Sequence, residues 1–476
     1  MNKKNRTSAG KHPEKQTVST VYNPQRAELG EAPIVRLLVK MSIPATFAMM
    51  VNGLYNLVDT IYIGRGVGTA AIGGLALAFP VQMIIMGFGI SIGQGAASVV
   101  SRNLGAENDE RARRAAGNAF ALAAVSGILI LGAGLLLLEP LLTLLGATEA
   151  LRVHARDYLR VILLGSPFIA LAMTSNNLLR AEGKAKTSMT VMLIGAVTNI
   201  ILDPIFIFGF RMGVSGAAWA TVAGQFLAFL YASRFFILKK TLVVVRPRHW
   251  IPDGSVVREI IGLGIPTFVR QGGQSIVAVM LNNMLGLYGG DIYISSYGVV
   301  NRLIMFLFMP LFGTVQGFQP IAGFNYGARK YDRVKQTLKV TLGYATVYTT
   351  AGFLLLFTFP RFFAGIFTSD PDLIDTAAYV MRYVIAVFPL VGLQIIGGSY
   401  FLVIGKAVPS LILNLSRQFL LLIPLLIILP PLFGLNGLLL SFPIADFMAA
   451  LITMAWLYFE VKRIGKPVLT DSAVSL

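Results

Sequence analysis

Two carboxylates set inside long apolar stretches, Asp59 and Asp203, are the residues of this chain best placed to do chemistry. A carboxylate at mid-bilayer costs about 2.5 to 3.5 kcal/mol on insertion scales, so one that persists there faces water or a partner and marks an ion or proton path. Asn52, Tyr55, Asn56 and Asp59 fall at i, i+3, i+4 and i+7, which is one polar stripe on a single helical face. Asn199 and Asp203, four apart, share a face too. Asp59 stands about five residues before Gly64 and Asp203 about six before Gly209, or roughly 7 to 9 Å from the ends of their helices. Equal height lets the two acids meet in one chamber and titrate as a coupled pair. Pro204 removes a backbone donor beside Asp203 and predicts a bend, and bends line cavities. The competing reading of both acids is a structural hydrogen bond that ties neighbouring helices together.

Other polar residues carry weaker signals. The run Thr174, Ser175, Asn176 and Asn177 either lines the same chamber or packs helices through small side chains. Arg270, Arg302 and Arg417 either bind anionic groups or lock helices, for example by pairing with Asp446; snorkelling or pairing is the preferred reading. Arg270 and Gln274 are carried as cavity candidates in the second half. Glu259 and Glu460 lie close to helix ends. His12, His154 and His249 fall in tails or loops, read as solvated, and form no metal set. There is no cysteine, which excludes disulfides, thiolate metal sites and a cysteine nucleophile. "GFGISIGQG" from Gly87 lacks the strand of a phosphate-binding loop, and "GKAKTS" from Gly183 lacks the upstream glycine of a P-loop, so neither predicts nucleotide chemistry.

The elements that must position these residues are membrane helices. Of 476 residues 55% are hydrophobic and 13% charged, mean hydropathy is +0.71, and an ordinary soluble domain carries roughly 25% charge. About twelve apolar runs reach the roughly 20 residues a spanning helix needs, near 36–62, 70–100, 115–138, 155–180, 187–209, 214–238, 256–287, 293–324, 336–358, 377–403, 409–430 and 436–460. Their continuity excludes a β-barrel. The expected fold is therefore an all-α polytopic membrane protein with twelve transmembrane helices.

The net charge of +18 is distributed as a topology signal. Twenty-seven lysines and arginines fall in the two termini and in alternate loops, while the intervening loops hold Arg65, Arg152, Arg156, Arg211 and Arg361. The positive-inside rule then places both termini in the cytoplasm of a cell whose plasma membrane the chain crosses many times. Anionic lipid is a modest further partner of that basic face, and nucleic acid is not expected. No removable signal peptide is evident in the polar first 33 residues.

The chain also repeats itself. "VRLLVKMSIP" from Val35 returns as "VREIIGLGIP" from Val257, an offset of 222. Gln94-Gly95 returns as Gln316-Gly317, Asn103 with Gly105-Ala106 as Asn325 with Gly327-Ala328, and Arg111 as Arg333. Gly183-Lys184-Ala185 returns as Gly405-Lys406-Ala407; one residue of slip later, Gly213 matches Gly434. This predicts two pseudo-symmetric six-helix lobes, with a tail over 1–33, an N lobe over 34–238, a linker over 239–255, a C lobe over 256–460 and a tail over 461–476. Paired lobes of this kind are the usual scaffold of a secondary transporter. The acids are not duplicated: Asn52, Tyr55, Asn56 and Asp59 map onto Gln274, Val277, Ala278 and Leu281, and Asn199 and Asp203 onto Leu421 and Leu425. Copying explains the architecture; the asymmetry points to the chemistry.

Several stretches resemble a named family. "GLYNLVDTIYIG" from Gly53, "GQGAASVVSRNLGAEN" from Gly93, "LLRAEGKAKTSM" from Leu178, "TNIILDPIFIF" from Thr198 and "QGFQPIAGFNYGA" from Gln316 are similar to signature stretches of the multidrug and toxic compound extrusion family. The resemblance implies a twelve-helix antiporter that expels amphipathic organic cations in exchange for protons or sodium ions. The lack of a nucleophile, a metal set or an acid/base pair with a soluble domain argues against an enzyme, and a monomer without cofactor is expected. The resemblance places Asp59 and Asp203, with Tyr55, Asn199 and an asparagine at 176 or 177, in an N-lobe cation site, where sodium is an alternative to the proton. Another branch of the family carries acids in the seventh and tenth helices, where this chain has Arg270 and Gln394. Two rival readings remain at this level: a lipid-linked substrate flippase using the membrane arginines, and a non-transporting membrane scaffold or receptor.

Overall fold

Inside a bilayer every backbone N–H and C=O must be satisfied within its own segment, so long apolar runs fold as helices. The computed structural model describes residues 24–465, apart from the side chains of Asn56, Leu57 and Thr69, and is helical throughout. In chain order the helices are α1 (Pro24–Glu31), α2 (Ile34–Gly66), α3 (Thr69–Gly105), α4 (Asp109–Leu136), α5 (Leu138–Leu144), α6 (Glu149–Ala181), α7 (Ala185–Pro204), α8 (Val214–Ile237) and α9 (Gly254–Gly289). They continue as α10 (Asp291–Gly327), α11 (Tyr331–Thr358), α12 (Pro360–Gly365), α13 (Pro371–Val384), α14 (Phe388–Val403), α15 (Ala407–Leu415) and α16 (Ile423–Arg463). Helix starts follow ordinary capping chemistry. Asn108 accepts from the Arg111 N–H at 3.1 Å, and Asp253 and Asp370 cap α9 and α13 in the same way.

Nine stretches among the described residues are long and apolar enough to cross a membrane. The pair α13 and α14, bent by 53°, adds one; the 57-residue stretch Ala407–Arg463 breaks at Gly434 and holds two; α9, interrupted by Arg270, Gln271 and Gln274, completes twelve. They form two six-helix lobes. The backbone repeats with the sequence: α3 and α10 each have 37 residues, α4 and α11 each 28. Gly213 at φ 61°, ψ −138° has its twin in Gly434 at φ 58°, ψ −141°. Both are left-handed turns that a side chain would strain.

The lobes meet along α2 against α10 and α3 against α9. Small residues let the backbones touch. A Cβ on Gly105 would lie 1.9 Å from the Phe324 carbonyl oxygen, and one on its repeat mate Gly327 1.8 Å from that of Arg102. The contact goes on through Ser98 Oγ, which donates to the Leu402 carbonyl at 2.6 Å, and Thr267 Oγ1, which donates to Gln94 Oε1 at 2.8 Å. This seam occupies the half of the molecule nearer the basic loops, here called the basic face.

Two loop expectations change. The segment before Pro33 is not a plain tail over its whole length: residues 24–31 form α1, whose Leu29 is buried, while residues 1–23 and 466–476 lie outside the described residues. His249 is not solvated but buried, in a short 3-10 turn (Pro247–Trp250) of the linker. Its Nδ1 accepts from the Arg246 N–H at 2.9 Å, and Asn118 of α4 donates to its carbonyl at 2.9 Å. His154 is half-buried and His12 lies outside the described residues.

Candidate functional site

α2 and α7 bring the two acids of the N lobe together. Asp203 sits in the last turn of α7, where Pro204 ends regular hydrogen bonding and the chain continues as a π turn (Ile205–Gly209). Asp59 is 8% exposed and Asp203 0%, and the two carboxyl groups lie side by side. Asn199 Nδ2 reaches Asp203 Oδ1 at 3.3 Å and Thr221 Oγ1 of α8 at 3.2 Å. Tyr55 is buried on the same face of α2 as Asp59. Asp59 Oδ1, Asp203 Oδ2 and Asn199 Oδ1 are buried with no protein donor. Three such acceptors around one acid pair suit a cation.

Sequence reasoning missed Thr221, Tyr158 and Gln82. Tyr158 of α6 is buried beside Gln82 of α3 and lies within electrostatic range of Asp59, Asp203 and Tyr55. A single tyrosine in an apolar run gives no signal until four helices are packed around it. Asn52 is half-buried, and the Asn56 side chain lies outside the described residues.

Asn176 and Asn177 do not join the chamber. They lie 18 and 19 residues beyond Tyr158 on α6, or about 27 Å along the axis. There Arg180 donates to both side-chain carbonyls, at 2.6 Å to Asn177, while Asn176 Nδ2 donates to the Ser188 carbonyl at 2.9 Å. Thr174 and Ser175 bond to the carbonyls of Gly89 and Leu171. The need to satisfy buried Arg180 accounts for the two asparagines.

In the C lobe the charges are spent differently. Arg417, in a π turn (Ser416–Leu422), pairs with Asp446 of α16, whose backbone carbonyl accepts from Gln394. Arg270 is half-buried with its guanidinium 5.5 Å from the Phe312 ring centre; Arg302 and Gln274 are exposed. Where the N lobe holds its acids, the C lobe packs Val277, Leu281 and Leu422 with Leu421 and Leu425 into an apolar cluster. Among the described residues no three His, Cys, Asp or Glu side chains gather as for a metal.

The family model MatE matches residues 44–205 and again 266–428, once per lobe. The chain belongs to the MATE family of membrane transporters. Among curated MATE relatives, the "Multidrug export protein MepA" of Staphylococcus aureus is 28% identical over 434 residues, covering 91% of this chain and 96% of that protein. Among solved MATE structures, one described as the "Outward-facing conformation of a multidrug resistance MATE family transporter of the MOP superfamily" superposes with a TM-score of 0.87 at 26% identity, over 93% of this chain and 99% of its own. Another, the "MATE multidrug transporter DinF-BH in complex with R6G", gives a TM-score of 0.84 at 39% identity, over 91% and 98%.

Proposed function

We propose that this MATE transporter is a secondary antiporter of the plasma membrane that expels amphipathic organic cations in exchange for protons, through a site centred on Asp59 and Asp203. The observation that carries the reading is the pair of buried, adjacent carboxyl groups present in one lobe only. Multidrug relatives along nearly the whole chain support the cargo class, and the loop charges support a cytoplasmic basic face with both termini inside. The protein acts alone and needs no cofactor beyond the coupling ion.

The geometry supplies a two-state device. With both carboxyls ionised, the chamber holds two negative charges in a low-dielectric wall and attracts a cation, whose apolar body rests on neighbouring side chains. Proton entry from outside neutralises the pair, removes that attraction and lets the two acids hydrogen-bond to each other. Each site state favours a different occupant, which is the condition for exchange. Every pH unit contributes about 1.4 kcal/mol per proton, and every 100 mV about 2.3 kcal/mol per net charge moved. One proton for one monovalent cation uses only the pH gradient.

The test is efflux of a cationic dye from energised vesicles, with proton and sodium gradients imposed separately. The reading expects transport with a proton gradient alone, and none from Asp59→Asn or Asp203→Asn at normal expression. Wild-type efflux from both variants overturns the site; transport driven only by sodium overturns the coupling ion.

A further inference from the structure

The repeated residues Arg111 and Arg333 take no part in the acid chamber, yet both reach across to the opposite lobe. Each corner between the second and third helices of a lobe grips the start of the first helix of the other lobe. On one side, Glu259 near the start of α9 receives Arg102 Nη2 at 2.8 Å on one oxygen and Arg111 Nη2 at 2.8 Å on the other. Arg102 also lies against Gly405, where an added Cβ would come within 2.4 Å of its guanidinium.

On the other side, Arg333 Nη2 donates to the Ala32 carbonyl at 2.8 Å while its Nε holds Asn325 Oδ1 at 3.0 Å. Asn325 Nδ2 in turn donates to the Leu29 carbonyl at 3.0 Å, and Lys330 Nζ to that of Gly30 at 3.1 Å. These carbonyls belong to the junction of α1 and α2. Helix α1 is itself tied to the N lobe, by Arg26 to Asp109 and by Leu29 packed 3.4 Å from the Cβ position of Gly183.

We propose that these two repeat-related clamps, Glu259 with Arg102 and Arg111, and Arg333 with the α1–α2 junction, are the latches that hold the basic face of the transporter shut. Neither clamp survives if the lobes part there, because in each the donor and the acceptor sit on opposite lobes. The latches differ in chemistry. A carboxylate serves one and backbone carbonyls the other, so only the first is lost with a single acidic side chain. Duplication carried the gripping arginine into both lobes, and the partner was supplied locally: the repeat mate of Glu259 is Leu37.

The proposal rests on the alternating-access part of the proposed function and is tested without cargo or ion gradient. The chain has no cysteine, so Ala97→Cys, in a small cavity between Ser98, Asn177 and Arg180 of one lobe and Gln319 and Leu402 of the other, is a reporter without background. The readout is its labelling rate by a membrane-impermeant maleimide applied to the basic face in proteoliposomes. Glu259→Gln and Arg333→Gln are expected to raise that rate about tenfold, the scale of a typical coupling between two states. Glu259→Asp is expected to stay within about threefold of the parent, and Arg156→Gln, whose ion pair with Glu139 lies within the N lobe, at the parent rate. Parent-rate labelling of both glutamine variants as monodisperse protein overturns the latches, as does equal acceleration by Arg156→Gln. Should Glu259→Gln fail to fold, Arg111→Gln, at a side chain 41% exposed, is read in its place by the same criteria. A chain that shows the expected labelling but no dye efflux leaves the latches standing and overturns the proposed transport.

Discussion

The same two positions of the repeat hold a buried pair of carboxyl groups in the N lobe and closely packed hydrocarbon in the C lobe. Asp59 and Asp203 meet between α2 and α7; Leu281 and Leu425, their counterparts, join the cluster of Val277, Leu285, Leu422 and Phe442. Both lobes keep the helix lengths, the broken fifth span and the left-handed glycine before the sixth. The backbone therefore does not demand a carboxylate at this place. Since the C lobe shows that leucine fills it, the acids of the N lobe carry a desolvation cost that the shared backbone does not require.

The sharpest way to break this comparison is to move the acid across it. Leu281→Asp buries an unpaired carboxyl in the apolar cluster and is expected to destabilise the C lobe by about 3 kcal/mol or more, read as loss of monodisperse protein on heating in detergent. A well-folded Leu281→Asp would show that the two sites differ less than their packing implies.

Arg417→Met leaves Asp446 buried and unpaired, with an expected loss of about 3 to 5 kcal/mol, whereas Arg417→Met with Asp446→Leu is expected near wild-type stability and with efflux intact. Loss of efflux in a stable double variant would move chemistry into the C lobe. The converse holds for Asp59→Asn, which removes one of two like charges. Its melting temperature is expected to equal or exceed the parent's while dye efflux disappears, so a lowered melting temperature with retained efflux would make Asp59 a structural residue.

The smallest effect concerns a carboxyl outside the spans. Glu182, 1% exposed, accepts from the Leu242 N–H at 2.9 Å and the Val243 N–H at 3.2 Å and so anchors the linker. Burial pushes its carboxyl from 4.5 up to about 7, against the pull of those two donors. The folded chain thus keeps this proton longer than the unfolded chain does, and the contribution to stability is present below pH 4.5 and lost as pH rises through about 7. Glu182→Gln is expected to flatten the slope of melting temperature against pH between those limits; an unchanged slope refutes the assignment.

Much of this was legible in one dimension, for reasons visible in particular residues. Asp59 and Asp203 stood out because charge inside an apolar run is costly, and their equal height followed from helical rise alone. The membrane lobes followed from run length and from the offset of 222. Asn176 and Asn177 misled, because a polar run on a helix looks the same whether it lines a cavity or satisfies a buried arginine. The burial of His249 was invisible, since it depends on Asn118, which lies 131 residues away. Thr221, Tyr158 and Gln82 belong to helices whose rotation about their own axes no pattern specified.

By itself the sequence determined the solvent, the number and pairing of spans and the two acids on which the proposed transport rests. Each of these rests on local free energies: the transfer of apolar runs, the cost of a buried charge, the repetition of a backbone. Only the tertiary structure decided that the acids touch, that Arg417 is spent on Asp446, and that Arg111 and Arg333 each reach into the opposite lobe. Those outcomes depend on which helix faces meet, and close packing between distant segments sets that, at distances of a few ångströms that spacing along one chain does not encode.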